Sequence, residues 1–99
     1  MKLVVPTDFD ILAAFDAHGR NVAVNLALYL DRDRAYVNTR LPEPEHQGLL
    51  EKIGPAPNTG LYELTNRGRV VLAHRSRYDN LGCDEFETLV DETVASVEI

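Results

Sequence analysis

The stretch GLLEKIGPAPNTGLYELTNRG, residues 48–68, limits what this 99-residue chain can become. Two apolar-alternating runs, near Leu49 to Ile53 and Leu61 to Leu64, flank a loop rich in proline, asparagine and glycine. The loop GPAPNTG is too long for a two-residue turn but rich in residues that tolerate unusual dihedrals. An isolated two-stranded ribbon is barely stable in water, so the hairpin must lean on helices. At 44% hydrophobic residues, a chain of this size can bury one core and little more.

The remaining sequence supplies those helices. Thr7 is placed to cap a first helix with Asp10 three residues on, and Ile11, Leu12 and Phe15 recur at helical spacing until Gly19 offers a stop. Asn21 is placed to cap VAVNLALYL, which predicts the most buried helix, with Asn25 a hydrogen-bonded polar residue at the edge of the core. After the turn LDRD, Asp33 caps RAYVNTRL, where Val37 and Leu41 fall four apart on one face. This third helix follows the second after three or four residues, the spacing of a helix-turn-helix. Pro42 and Pro44 end or kink it, because proline removes a backbone donor and clashes with the preceding turn. A distorted helical turn then leads to Gly48. Thr65 caps a fourth helix with Val70, Val71 and His74 toward the core. Residues 78–82 read as a linker, and Asp84 with Glu87 forms a capping box ahead of a final amphipathic helix. These signals predict a mainly α protein with a small β-hairpin: a domain over 1–77, a linker over 78–83 and an acidic amphipathic helix over 84–99.

Charge is distributed unevenly. Residues 1–77 sum to +1 and residues 78–99 to −7, which makes the net charge −6. Of the ten basic residues, two are lysines and eight arginines, against 16 acids. Low lysine with high acid is the surface expected of a protein that stays soluble in molar salt, where self-repulsion is screened within about 3 Å; an ordinary acidic cytosolic protein is the alternative. No apolar run approaches the roughly 20 residues that span a bilayer, and the single cysteine, Cys83, suits a reducing compartment. A cytoplasmic location is expected.

The order of helix, helix, turn, helix, hairpin and helix resembles the winged helix-turn-helix superfamily. The residues that carry the resemblance are Val37 and Leu41, then Gly48 and Leu49 entering the wing, then Tyr62, Leu64, Thr65 and Gly68 in the pattern Tyr-x-Leu-Thr-x-x-Gly. YVNTRLP and IGPAPNTGLYELTNRG look in particular like the small phage-repressor-like winged helix proteins of extremely halophilic archaea. The resemblance covers roughly Pro6 to Arg77 and implies a DNA-binding transcriptional regulator. Two features depart from the pattern: Pro44 stands where a leucine is usual, and residues 54–60 carry no lysine or arginine, which weakens a wing's grip on phosphate.

A helix in the major groove reads bases with the face turned away from its own domain. With Val37 and Leu41 inward, the outward set is Arg34, Ala35, Asn38 and Thr39, with Tyr36 and Arg40 at the flanks. Asn38 suits adenine, Arg34 suits guanine, and Ala35 or Thr39 suits a thymine methyl. The competing reading is a solvated helix face, and for Tyr36 packing against the first or second helix. Arg32, Arg40, Arg67 and Arg69, together with Asn58 and Thr59 in the wing, are the candidate contacts to the DNA backbone; local pairing of Arg32 with Asp31 or Asp33 competes. The stripe Phe86, Leu89, Val90, Val94 and Val97 predicts a homodimer seam, with packing back onto the first helix as the alternative.

Catalysis finds no support in the pattern. His18, His46 and His74 lie 28 residues apart in different elements, Cys83 sits among acids, and no paired metal-ligand spacing or phosphate-cradling loop occurs. The expectation is therefore a regulator that needs no metal, cofactor, membrane or small-molecule ligand and whose partner is double-stranded DNA. The rival from another class is a winged-helix protein-interaction module, which a neutral body with an acidic tail would also suit.

Overall fold

A computed structural model describes residues 1–55 and 60–97 of the chain. Six α-helices and a hairpin follow in the order α1 (Thr7–His18), α2 (Ala23–Leu30), α3 (Arg34–Arg40), α4 (Pro42–His46), β1 (Leu50–Lys52), β2 (Tyr62–Leu64), α5 (Asn66–Ala73) and α6 (Cys83–Val97), with a 3-10 helix at Arg75–Asn80 before α6. Phe9, Ile11, Leu12 and Phe15 of α1 fill the middle of the core, where they meet Leu26, Val37, Leu41, Leu49, Leu50, Val71, Phe86 and Val90.

The third helix forms as its sequence predicts. The Asp33 carboxylate accepts from the backbone N–H of Ala35, and Val37 and Leu41 are buried. Helix α3 stops at Arg40, and Pro42, which has no N–H to offer, starts α4, with Leu41 at the junction. Pro44 is buried, and its carbonyl accepts from Leu49 N at 2.9 Å, which turns the chain into the wing.

The strands pair antiparallel with Leu50 opposite Leu64, Glu51 opposite Glu63 and Lys52 opposite Tyr62. They are shorter than the apolar runs suggest, although Ile53 N still donates to Leu61 O beyond them. The Thr-x-x-Gly signature acts here through one hydroxyl. Thr65 Oγ1 accepts from Gly68 N at 3.0 Å, the N-cap of α5, and donates to Gly48 O at 2.6 Å, which ties the cap to the start of the wing. Gly68 permits that approach, because a Cβ there would lie 2.3 Å from Leu49 O and 2.5 Å from Leu64 Cδ1.

Several expectations are corrected. Thr7 is the first residue of α1 and makes no side-chain cap; Asp8 instead accepts from Val4 N at 2.8 Å. Asn21 does not cap α2. Its backbone exchanges two 2.9 Å hydrogen bonds with Tyr62, so the segment before α2 lies along the free edge of β2, and its side chain accepts from Asn25. Helix α2 is not the most buried helix either, since Val24, Leu28 and Tyr29 are all exposed.

The C-terminal stripe also packs differently from the seam expected of it. Phe86 and Val90 are fully buried inside this chain, Val94 packs against the same core, and Leu89 is half-buried. Helix α6 lies mainly on α5 and the 3-10 helix. Tyr78, expected in a linker, meets Phe9 and Phe86 edge-on at ring distances of 5.4 and 5.0 Å, so the connection into α6 is part of the packing. Tyr78 thus stands between two buried phenylalanine rings, and its edge-on contact with Phe86 favours the inward position of that ring. Asp84 lies in the first turn of α6, and Glu87 pairs with the ammonium group of Met1 at 3.1 Å instead of closing a capping box.

Candidate nucleic-acid interface

Helix α3 presents Arg34, Ala35, Tyr36, Asn38 and Thr39 to solvent, all five of the residues proposed to face bases. Part of the reason is local: Val37 and Leu41, four apart, are buried on one face, which turns Asn38 and Thr39 to the other. Among the described residues Arg34 has no carboxylate partner and Asn38 no side-chain hydrogen bond. The Thr39 hydroxyl donates to Tyr36 O at 2.6 Å, which commits its proton. From Arg34 to Arg40 the helix carries no acid.

The arginines expected at the DNA backbone divide into two groups. Arg40 is corrected from a phosphate contact to a structural ion pair. Its Nε and Nη2 donate to Asp8 Oδ1 and Oδ2 at 3.1 and 2.9 Å, and Asp8 is fully buried. The hydrogen bond to Asp8 holds the Arg40 guanidinium above its ordinary, already high pKa, against the opposing effect of burial. Arg32 reaches Asp10 at 3.2 Å, rather than Asp31 or Asp33, and Asp10 also accepts from Arg75 at 2.9 Å. Arg67 pairs with Asp91 of α6. Arg69 donates to Leu64 O at 3.3 Å and otherwise faces solvent. Asn58 and Thr59 lie outside the described residues, as does the side chain of Val97.

Asp8 and Asp10 are the residues the sequence reading missed. Both lie on α1, and their partners Arg32 and Arg40 bracket α3, one before its first turn and one at its last residue. Two ion pairs thus join both ends of the exposed helix to the central helix of the domain. A signal was present in Asp8, an acid directly before core residue Phe9, but its partner lies 32 residues away and spacing does not name it. Other cations available to phosphate are Lys52 on the wing strand, Lys2 and Arg77, all exposed and without a carboxylate partner among the described residues. The opposite face of the wing is acidic, with Glu51 beside Glu63 and Arg20 3.6 Å from Glu63.

No group of three or more His, Cys, Asp or Glu side chains among the described residues is arranged to hold a metal ion. No helix of the described residues is long and apolar enough to cross a membrane.

No protein-family model and no curated protein matches the sequence. Solved structures do match the fold. A cysteine-to-serine mutant of MarR from E. coli superposes with a TM-score of 0.61 at 22% identity, covering 97% of this chain and 79% of that one. The same mutant complexed with operator DNA gives 0.61 and 22% over 95% and 75% of the two chains. The oxidized form of MarR gives 0.61 and 23% over 97% and 76%. At this level of identity the likeness is one of architecture: the chain has the winged helix-turn-helix fold.

Proposed function

We propose that this protein is a sequence-specific, double-stranded-DNA-binding transcriptional regulator that acts by occupying a promoter or operator. The observation that carries the reading is the outward face of α3. Arg34, Ala35, Asn38 and Thr39 stand exposed without an acid among them, on a helix whose two ends are tied to the core by ion pairs. Preorganisation of that kind serves base readout, since a helix already held in place loses little freedom on entering a groove. That a winged-helix neighbour of similar architecture was solved with operator DNA supports the same reading. An interaction module would more naturally show an acidic or apolar face at this place, and the α3 face is neither.

In this proposal Arg34 and Asn38 read bases, Tyr36 flanks them, and Arg69 with Lys52 contacts phosphates. Arg32 and Arg67 reach phosphate only by leaving Asp10 and Asp91. The low lysine content and the acidic α6 support a cytoplasm of high salt, the setting of the halophilic proteins the sequence resembles. High salt suppresses the counterion-release contribution to binding, so base contacts and DNA shape must supply more of the affinity.

The test is titration of the protein against a site selected from random duplexes and against a scrambled duplex, at several salt concentrations. Asn38→Ala should cost about 1 to 3 kcal/mol on the selected site and relax preference at one base position, as loss of a bidentate contact does. Wild-type binding that does not distinguish the two duplexes would falsify the proposal and promote the interaction module.

A further inference from the structure

Asp10 divides its carboxylate between two arginines from distant parts of the chain. Oδ2 accepts from Arg32 Nη2 at 3.2 Å, and Oδ1 accepts from Arg75 Nη2 at 2.9 Å. Two guanidiniums thus face one acid. Arg75 has a second hold, because its guanidinium lies over the Phe9 ring at 5.4 Å from the centroid. The Arg32 side chain has no second partner among the described residues, and it stands in the turn between α2 and α3, two residues before Arg34.

The Asp8–Arg40 pair is a different case. Asp8 has no solvent exposure and also holds Val4 N, so that pair belongs to the packed interior. Asp10 and Arg32 keep 29% and 31% of their side-chain surface in water. A phosphate can therefore reach the Arg32 guanidinium from solvent, and it offers the same kind of charged oxygen acceptor that Asp10 already supplies. Phosphates flank the groove that the exposed face of α3 would enter, and an arginine at the mouth of that helix is placed to meet one.

We propose that Asp10 is a positioning residue that competes with DNA phosphate for Arg32, and so makes duplex binding by this chain less dependent on salt than its arginine content suggests. The inference rests on the DNA-binding reading. While Asp10 holds Arg32, the cation neutralises a carboxylate, and the counterions at the neighbouring phosphate stay in place. Each phosphate that a protein does neutralise adds about 0.9 to the slope of log K against log salt. Removing the Asp10 charge frees Arg32 rather than Arg75, because asparagine keeps one acceptor oxygen and the Phe9 ring still holds Arg75.

The test titrates the full chain against the selected and scrambled duplexes at several salt concentrations, with far-UV circular dichroism to check that each variant is folded. Asp10→Asn should bind both duplexes more tightly at low salt and steepen the slope by about 0.9, the effect of one phosphate. Its preference between the duplexes should hold, because a backbone contact carries no sequence information. Asp16→Asn removes the same charge from an exposed position on α1 that pairs with no cation among the described residues, and it should leave the slope unchanged. Arg32→Gln should also leave it unchanged, since that cation is already withheld, and Asp10→Asn combined with Arg32→Gln should return the slope to the wild-type value. An Asp10→Asn slope no steeper than that of Asp16→Asn, a flatter slope in Arg32→Gln alone, or a double variant as steep as Asp10→Asn would each overturn the inference and leave the DNA-binding reading standing. A wild-type chain that binds neither duplex would overturn both together.

Discussion

Removing the Arg40 side chain tests whether the ion pairs hold the exposed helix to its domain. The Asp8 carboxylate has no solvent exposure and accepts three hydrogen bonds, from Val4 N at 2.8 Å and from Arg40 Nε and Nη2 at 3.1 and 2.9 Å. Arg40→Ala strands that buried charge with one backbone donor, and breaking a buried pair by removing one partner costs about 3 to 5 kcal/mol. Asp8→Asn is milder. The amide keeps one acceptor oxygen, and the guanidinium, which retains 21% exposure, can turn toward water. The expected loss there is about 2 to 3 kcal/mol, the scale of weakened charge-assisted hydrogen bonds. Asp8→Asn combined with Arg40→Met removes both charges together, so it should cost clearly less than the sum of the single changes. The chain has no tryptophan, so urea unfolding is best followed by far-UV circular dichroism. With a slope of about 1 to 3 kcal/mol per molar urea, Arg40→Ala should lower the midpoint by about 1 M or more. A loss within about 0.5 kcal/mol, the effect of changing an ordinary surface arginine, would refute the reasoning. So would single and double variants whose costs simply add, because additivity is the mark of residues that do not interact.

Gly68→Ala should destabilise the fold by about 1 to 3 kcal/mol, because the new methyl group would press on the Leu49 carbonyl, which belongs to backbone and cannot swing away; an unchanged melting temperature would show that the wing and α5 are not in close contact. Burial pushes the Tyr78 phenol above its ordinary value, with the Leu3 backbone bond opposing, so its contribution is complete below about pH 10 and is lost as pH rises through the higher folded value. Alkaline melts should therefore show a loss of stability that Tyr78→Phe reduces, and equal pH profiles for the two chains would count against it. Finally, the melting temperature should rise with salt concentration, because residues 78–99 carry −7 and their mutual repulsion is unscreened at low salt; a midpoint indifferent to salt would argue against salt adaptation.

What the sequence determined by itself is local. Asp33 capping α3, Val37 and Leu41 turning inward, and Thr65 with Gly68 opening α5 all depend on residues no more than four apart, where helix and cap geometry leave few choices. The hairpin and the exposure of Asn38 and Thr39 on α3 follow from the same short-range periodicity. Only the tertiary structure decided what each surface meets. Apolar spacing in Phe86, Leu89, Val90 and Val94 says that a face is covered without saying by what, and the core of the same chain covers it. Arg32, Arg40, Arg67 and Arg75 read alike as cations, yet each is paired with an acid 22, 32, 24 or 65 residues away, on helices that packing brings alongside. Asn21 has a cap's identity but lies beside Tyr62, whose free backbone edge supplies two hydrogen bonds that a cap could not. Leu28 belongs to the most apolar helix of the chain and stays in solvent, because α2 is covered on one side only. Periodicity within one element fixes which residues share a face, but partners distant in sequence are chosen by how the elements pack.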